Sequence, residues 1–163
     1  MDLSKFSLKD LLLTAIKSEV DSRDIYLSLK SRVKNYVLKN KFDFLAQEED
    51  KHRVFFENLY HQDFPGETII LPDKTPVPLP EIKISSENLP ISEILEMAMQ
   101  AEKNASEFYK SLMEKFQDEK IRKTLEYIST VEISHYKILE VEREYAKKYE
   151  DYESEWPLFH VGP

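Results

Sequence analysis

Apolar residues recur every three or four positions in four stretches of the chain, and the gaps between those stretches differ greatly in length. From Ser7 to Ser31, Leu8, Leu11, Leu12, Ala15, Ile16, Glu19, Tyr26 and Leu29 fall on one stripe, the period of a helix with a single buried face. Ser7, with Asp10 three residues on, predicts a capping box with Asp in the place of Glu. From Lys34 to His61 a second stripe carries Phe42, Leu45, Ala46, Glu49, His52, Phe56 and Leu59. A third begins at Pro90, a favourable first-turn residue, and runs through Ile91, Leu95, Ala98, Met99, Glu102, Ala105, Tyr109 and Leu112. The fourth, from Asp118 to Tyr149, holds Leu125, Ile128, Ser129, Glu132, His135, Leu139 and Glu142.

Between the second and third stripes the periodicity stops. Residues 62–89 contain Pro65, Pro72, Pro76, Pro78, Pro80 and Gly66, a composition that disfavours helix and suits an extended, partly polyproline segment. Short links near 32–35 and 116–118 make helices one and two, and three and four, antiparallel neighbours. A helix of about 25 residues is roughly 38 Å long, and the 62–89 link can traverse that length. The second and third helices are then expected to run in the same direction. The reading is an all-α four-helix bundle over residues 1–149, two antiparallel hairpins joined by a long Pro-rich crossover. A C-terminal tail, 150–163, follows. Its acidic run from Glu150 to Glu155 reads as a solvated end, and its Trp156, Pro157, Leu158 and Phe159 are apolar enough to dock.

Composition narrows the class of function. A chain of 163 residues suits one domain with a real core, and two glycines among many Leu, Glu, Lys, Ile and Ala favour helix. The net charge of -8, with no basic run or face, speaks against nucleic acid as a partner. The absence of cysteine excludes disulfides, thiolate metal sites and a built-in rubredoxin or zinc ribbon from this sequence. The apolar stretch Leu11 to Ile16 is too short to span a membrane and lacks a small-residue cleavage site. The expectation is a soluble, cytoplasmic protein.

The chemistry lies in a constellation that occurs twice. Glu19, Tyr26, Glu49 and His52 are matched, each 83 positions on, by Glu102, Tyr109, Glu132 and His135. Glu and His at i and i+3 project from one face of a helix and can hold a metal ion together. Glu49 with His52 would serve one ion and Glu132 with His135 a second, with Glu19 and Glu102 as terminal or bridging carboxylates. Four carboxylates and two imidazoles without thiolate suit iron, with manganese as an alternative, while zinc can fill such a site in purified material. Tyr26 and Tyr109, two turns beyond their Glu, read either as amphipathic core residues or as donors to the carboxylates. One ExxH on its own is a weak signal. Two, each preceded at equal distance by a Glu on the partner helix, are a strong one. His61 and His160 have no spaced partners and read as surface residues. Glu48 precedes Glu49, but Val131 occupies its counterpart position, so symmetry gives it no role.

Across residues 7–149 these motifs resemble the rubrerythrin branch of the ferritin-like superfamily, whose E-x6-Y…E-x2-H pattern appears twice here. The resemblance implies di-iron ligands at Glu19, Glu49, His52, Glu102, Glu132 and His135, with tyrosine donors at Tyr26 and Tyr109. It implies iron chemistry with hydrogen peroxide or dioxygen as oxidant, of peroxidase or ferroxidase type, protecting against oxidative stress. Two departures stand out. Rubrerythrins carry an extra Glu three residues after the third-helix Glu, where this chain has Ala105 and, at the symmetric place, Ser22. With no rubredoxin segment, electrons are expected from a separate, rubredoxin-type donor. A non-catalytic, iron-sequestering bundle is the alternative from another class, and a partner-binding bundle working through residues 62–89 is a third. Val54, Phe55 and Ile138 are expected to be scattered exposed apolar residues, compatible with a homodimer or higher homo-oligomer.

Overall fold

In the computed structural model, residues 1–79 and 89–155 are described, with side chains through Glu150. Pro80 of the crossover, the apolar tail from Trp156 to Phe159 and His160 lie outside the described residues. The described chain forms α1 (Leu8–Arg32), α2 (Tyr36–Asp63), α3 (Ile91–Leu112), a 3-10 turn over Met113–Lys115, and α4 (Glu119–Glu155). Among the described residues there is no strand.

Local chemistry sets the helix starts. The Ser7 side chain accepts from the Asp10 N–H while Asp10 accepts from the Ser7 N–H, so the capping box is formed. Asn35 Oδ1 accepts from the Val37 and Leu38 N–H groups and opens α2, and Asp118 Oδ1 accepts from Lys120 and Ile121 and opens α4. Helix α3 begins after Pro90 with no capping side chain of its own. One of its first-turn N–H groups is satisfied from α4: Glu150 accepts from the Ser92 N–H at 3.1 Å and from the Ser92 hydroxyl at 2.5 Å. Glu150 therefore does not belong to a solvated end. Helix α4 runs on past Tyr149 to Glu155, and its carboxylate at 150 sits at the positive end of a neighbouring helix.

Helix directions follow from which residues meet. Tyr26 of α1 donates to Glu102 of α3, and Tyr109 of α3 donates to Glu19 of α1. In both helices the Glu precedes the Tyr, so these crossed pairs require α1 and α3 to be antiparallel. The three-residue link 33–35 makes α1 and α2 antiparallel as well, which leaves α2 and α3 pointing the same way. The crossover must therefore return along the bundle.

The core divides in two. One apolar cluster joins Leu11, Leu12, Ile16, Phe56, Leu59, Phe108, Leu112 and Leu125. The other joins Leu29, Phe42, Leu45, Ile94, Leu95, Ala98 and Leu139. A buried polar layer from all four helices lies between them in sequence order. The crossover fastens to the first cluster through Val77, which is 1% exposed and whose N–H donates to the buried Thr14 hydroxyl at 3.3 Å. Phe64, Ile69, Leu71 and Leu79 pack on the same cluster, whereas Leu89, at the far end of the crossover, packs on the second. Gly66, with φ of 85°, supplies the left-handed turn that releases the chain from α2. Of the apolar residues expected on the surface, Val54 is exposed, but Phe55 and Ile138 are half-buried against the two clusters.

Candidate metal centre

The polar layer consists of the six ligand-type residues of the repeat. Glu19, Glu49, His52, Glu102, Glu132 and His135 are all at least 95% buried, His52 being the most open at 5% exposure. Such a cluster is stable in an apolar surround only when its charges are compensated.

Donor atoms of Glu19, Glu49, His52 and Glu132 lie within 4.8 Å of one another, and so do those of Glu49, Glu102, Glu132 and His135. Glu49 and Glu132 thus belong to both groups, and Glu19 and Glu102 to one each. Each imidazole faces the opposite hairpin more closely than its own helix. His52 Nδ1 is 3.0 Å from Glu132 Oε1 and 3.6 Å from Glu49 Oε2, while His135 Nδ1 is 3.0 Å from Glu49 Oε1 and 3.3 Å from Glu132 Oε2. The rings of His52 and His135 stack at 6.0 Å between centroids.

These approaches are close without being good hydrogen bonds. Nδ1 of both histidines, Nε2 of His135, Oε1 of Glu49 and both oxygens of Glu132 are buried and have no hydrogen-bond partner. Five of these atoms, all but His135 Nε2, face one another across the polar layer; so many unpaired groups are unusual for a polar cluster meant to satisfy itself, and they are atoms a pair of cations would take up. The residues fit a dinuclear metal centre.

The electrostatics of the metal-free layer are divided between its members. Burial, with the charges of Glu132 and Glu49, raises the Glu19 carboxyl well above its usual range, and burial with the Glu132 charge does the same to Glu102. Burial also pushes on Glu49 and Glu132, but the contacts from His135 and His52 outweigh it and lower both. The imidazoles respond in kind. Burial works against their charged forms, yet the surrounding carboxylates raise His52 to about 12 and raise His135 strongly. Tyr109 is raised by burial and by the Glu19 and Glu132 charges, which keeps its phenol protonated and donating. Tyr26 and Tyr109 are 1% and 0% exposed, so both readings of them hold at once: they are core residues and they donate to carboxylates.

The remaining candidates stay outside. Glu48 pairs with Lys51 at 2.5 Å, and His61 is exposed. Ala105 is buried in the first apolar cluster. Sequence reasoning passed over a buried pair one turn from the centre, Ser106 and Ser129, whose hydroxyl oxygens are 3.0 Å apart across α3 and α4. Ser129 was legible as a stripe position, but Ser106 carried no signal.

Comparisons with known proteins agree with this geometry. Among curated proteins no sequence matches the chain. A solved structure of a hypothetical protein from Pyrococcus furiosus is similar over 91% of this chain and 95% of its own, at 34% identity and a TM-score of 0.81. Residues 10–151 match the rubrerythrin family; with a four-helix bundle and a doubled Glu/His cluster at its centre, the chain belongs to that family.

Proposed function

We propose that this chain is a di-iron carboxylate oxidoreductase that reacts with hydrogen peroxide or dioxygen and draws its electrons from a separate one-electron donor. The observation that carries the proposal is the pair of four-residue donor groups sharing Glu49 and Glu132, with their orphaned atoms. Glu19 and His52 would complete one metal position, Glu102 and His135 the other, and Glu49 and Glu132 would bridge. When bound, the iron pair supplies the two electrons that, with two protons, convert hydrogen peroxide to two waters.

The protein's own part is positional. Tyr26 and Tyr109 hold one oxygen each of Glu102 and Glu19, which orients those carboxylates toward the metals with their other oxygen. The apolar clusters on either side keep bulk water from the centre. The donor set, mainly oxygen with one imidazole per metal, selects iron or manganese over thiophilic ions.

Anaerobic titration of metal-free protein with Fe(II) tests this, followed by one pulse of hydrogen peroxide with near-ultraviolet detection. The expected result is two irons per chain and a prompt oxo-bridged diferric band. Glu132→Ala should lose two-metal binding, and retention of both irons in that variant would sink the bridging assignment. Slow oxidation that no reductant can turn over would favour the iron-sequestering alternative.

A further inference from the structure

The two halves of the centre are matched in their ligands but differ in what connects them to the surface. In the first half, the Tyr109 ring, whose phenol donates to Glu19, stacks on Phe56 with centroids 4.9 Å apart and planes at 30°. Phe56 in turn meets Phe55 edge-on at 5.2 Å, and Phe55 is half-buried on the outer side of α2 beside the exposed Val54. These separations are those of favourable aromatic contacts, and the rings form an unbroken run from a carboxylate of the centre to the surface. The pseudo-symmetric counterparts of Phe55 and Phe56 are Ile138 and Leu139. Tyr26, which donates to Glu102, has no ring contact among the described residues. Among the described residues, five contacts between Phe, Tyr and His rings lie at the first cluster's end of the bundle.

We propose that Phe55, Phe56 and Tyr109 form a one-sided electron bridge, so that electrons from a one-electron donor reach the centre faster from the Phe55 side of α2 than from the equivalent part of α4. The proposal rests on the di-iron reading and adds the route. Electron tunnelling weakens steeply with each gap it must cross, and contacting π systems couple better than aliphatic side chains of the same span. Each transfer moves one electron from the donor to the oxidised metal pair. No bond along the bridge forms or breaks, and the Tyr109 proton stays on its phenol, the rings serving as medium rather than as carriers.

The missing cysteines make a direct test clean. Val54→Cys and Lys137→Cys, at pseudo-symmetric positions, each receive one ruthenium polypyridyl photosensitiser, and flash-induced reduction of the diferric band is timed. The expected result is several-fold faster transfer from position 54 than from 137. Phe56→Leu and Phe55→Ile, which copy the residues of the second half, should bring the rate from position 54 down to that from 137 with iron stoichiometry unchanged. Equal rates from the two labels in iron-loaded protein, or a rate indifferent to both substitutions, would overturn the bridge alone. Failure of the labelled proteins and the parent to take up iron would overturn the metal reading, and the bridge with it.

Discussion

In the metal-free chain the six side chains of the polar layer hold their protons so that charge nearly cancels. Glu49 and Glu132 are kept anionic, His52 and His135 cationic, and Glu19 and Glu102 retain protons further up the pH scale than exposed carboxyls do. Divalent ions need the same groups deprotonated, so loading a pair of ions is expected to release about two to four protons. Calorimetry in buffers of different ionisation heat measures that number, and less than one proton would contradict this charge distribution. Stability follows with definite signs. The raised histidines contribute fully below about pH 6.5 and lose that contribution as pH climbs toward about 12, and raised Glu19 and Glu102 lose theirs above about pH 4.5. Lowered Glu49 and Glu132 contribute above about pH 4.5 and lose their contribution as pH falls. The metal-free Tm should therefore peak near about pH 4.5 and decline from there toward about pH 9, a decline that bound metal removes. Tyr109→Phe should keep two-metal stoichiometry but weaken affinity by about 10- to 100-fold, read by competition with a chelator. The 83-residue repeat made all eight of these residues legible. What spacing could not show is that each imidazole faces the other hairpin's Glu more closely than its own, because the i, i+3 rule describes one helix and not its neighbour.

Helix starts separate into those that sequence discloses and those it hides. Ser7 and Asp10 are three residues apart, so their capping box is written locally. Replacing Ser7 with Ala should cost about 1 kcal/mol, measurable as a lower urea midpoint with unchanged slope. The cap of α3 is 58 residues away on α4, where Glu150 looked like part of a charged end. Glu150→Ala should cost a similar amount, about 1 kcal/mol, and hydrogen exchange should quicken at the first turn of α3 while α1 is unaffected. Equal protection in the variant would show that the Ser92 contacts carry no weight. The ends of α2 and α4 extended beyond their apolar stripes for a related reason: once a helix has neighbours or a cap, polar residues continue it without a buried face.

At the scale of the molecule, the Pro-rich composition of residues 62–89 announced an extended crossover but not where it would lie. Its most buried anchor is Val77, whose N–H meets the Thr14 hydroxyl 63 positions away, with Phe64, Ile69, Leu71 and Leu79 packed on the same cluster; neither Val77 nor Thr14 falls on a pattern. Val77→Ala should lower stability by about 2 kcal/mol through lost apolar burial and the space left behind, with no change in iron stoichiometry. The crossed Tyr–Glu bonds have a consequence of another kind. Neither hairpin contains a finished half of the centre, since the tyrosine that orients each terminal carboxylate is donated by the other. A gene encoding a single hairpin could build this centre only by pairing two identical products face to face, and the present chain has the form of that pair fused end to end. Within one chain the two halves are free to differ. Glu19, Glu49 and His52 match Glu102, Glu132 and His135 in register, while Phe55 and Phe56 stand where the second half has Ile138 and Leu139.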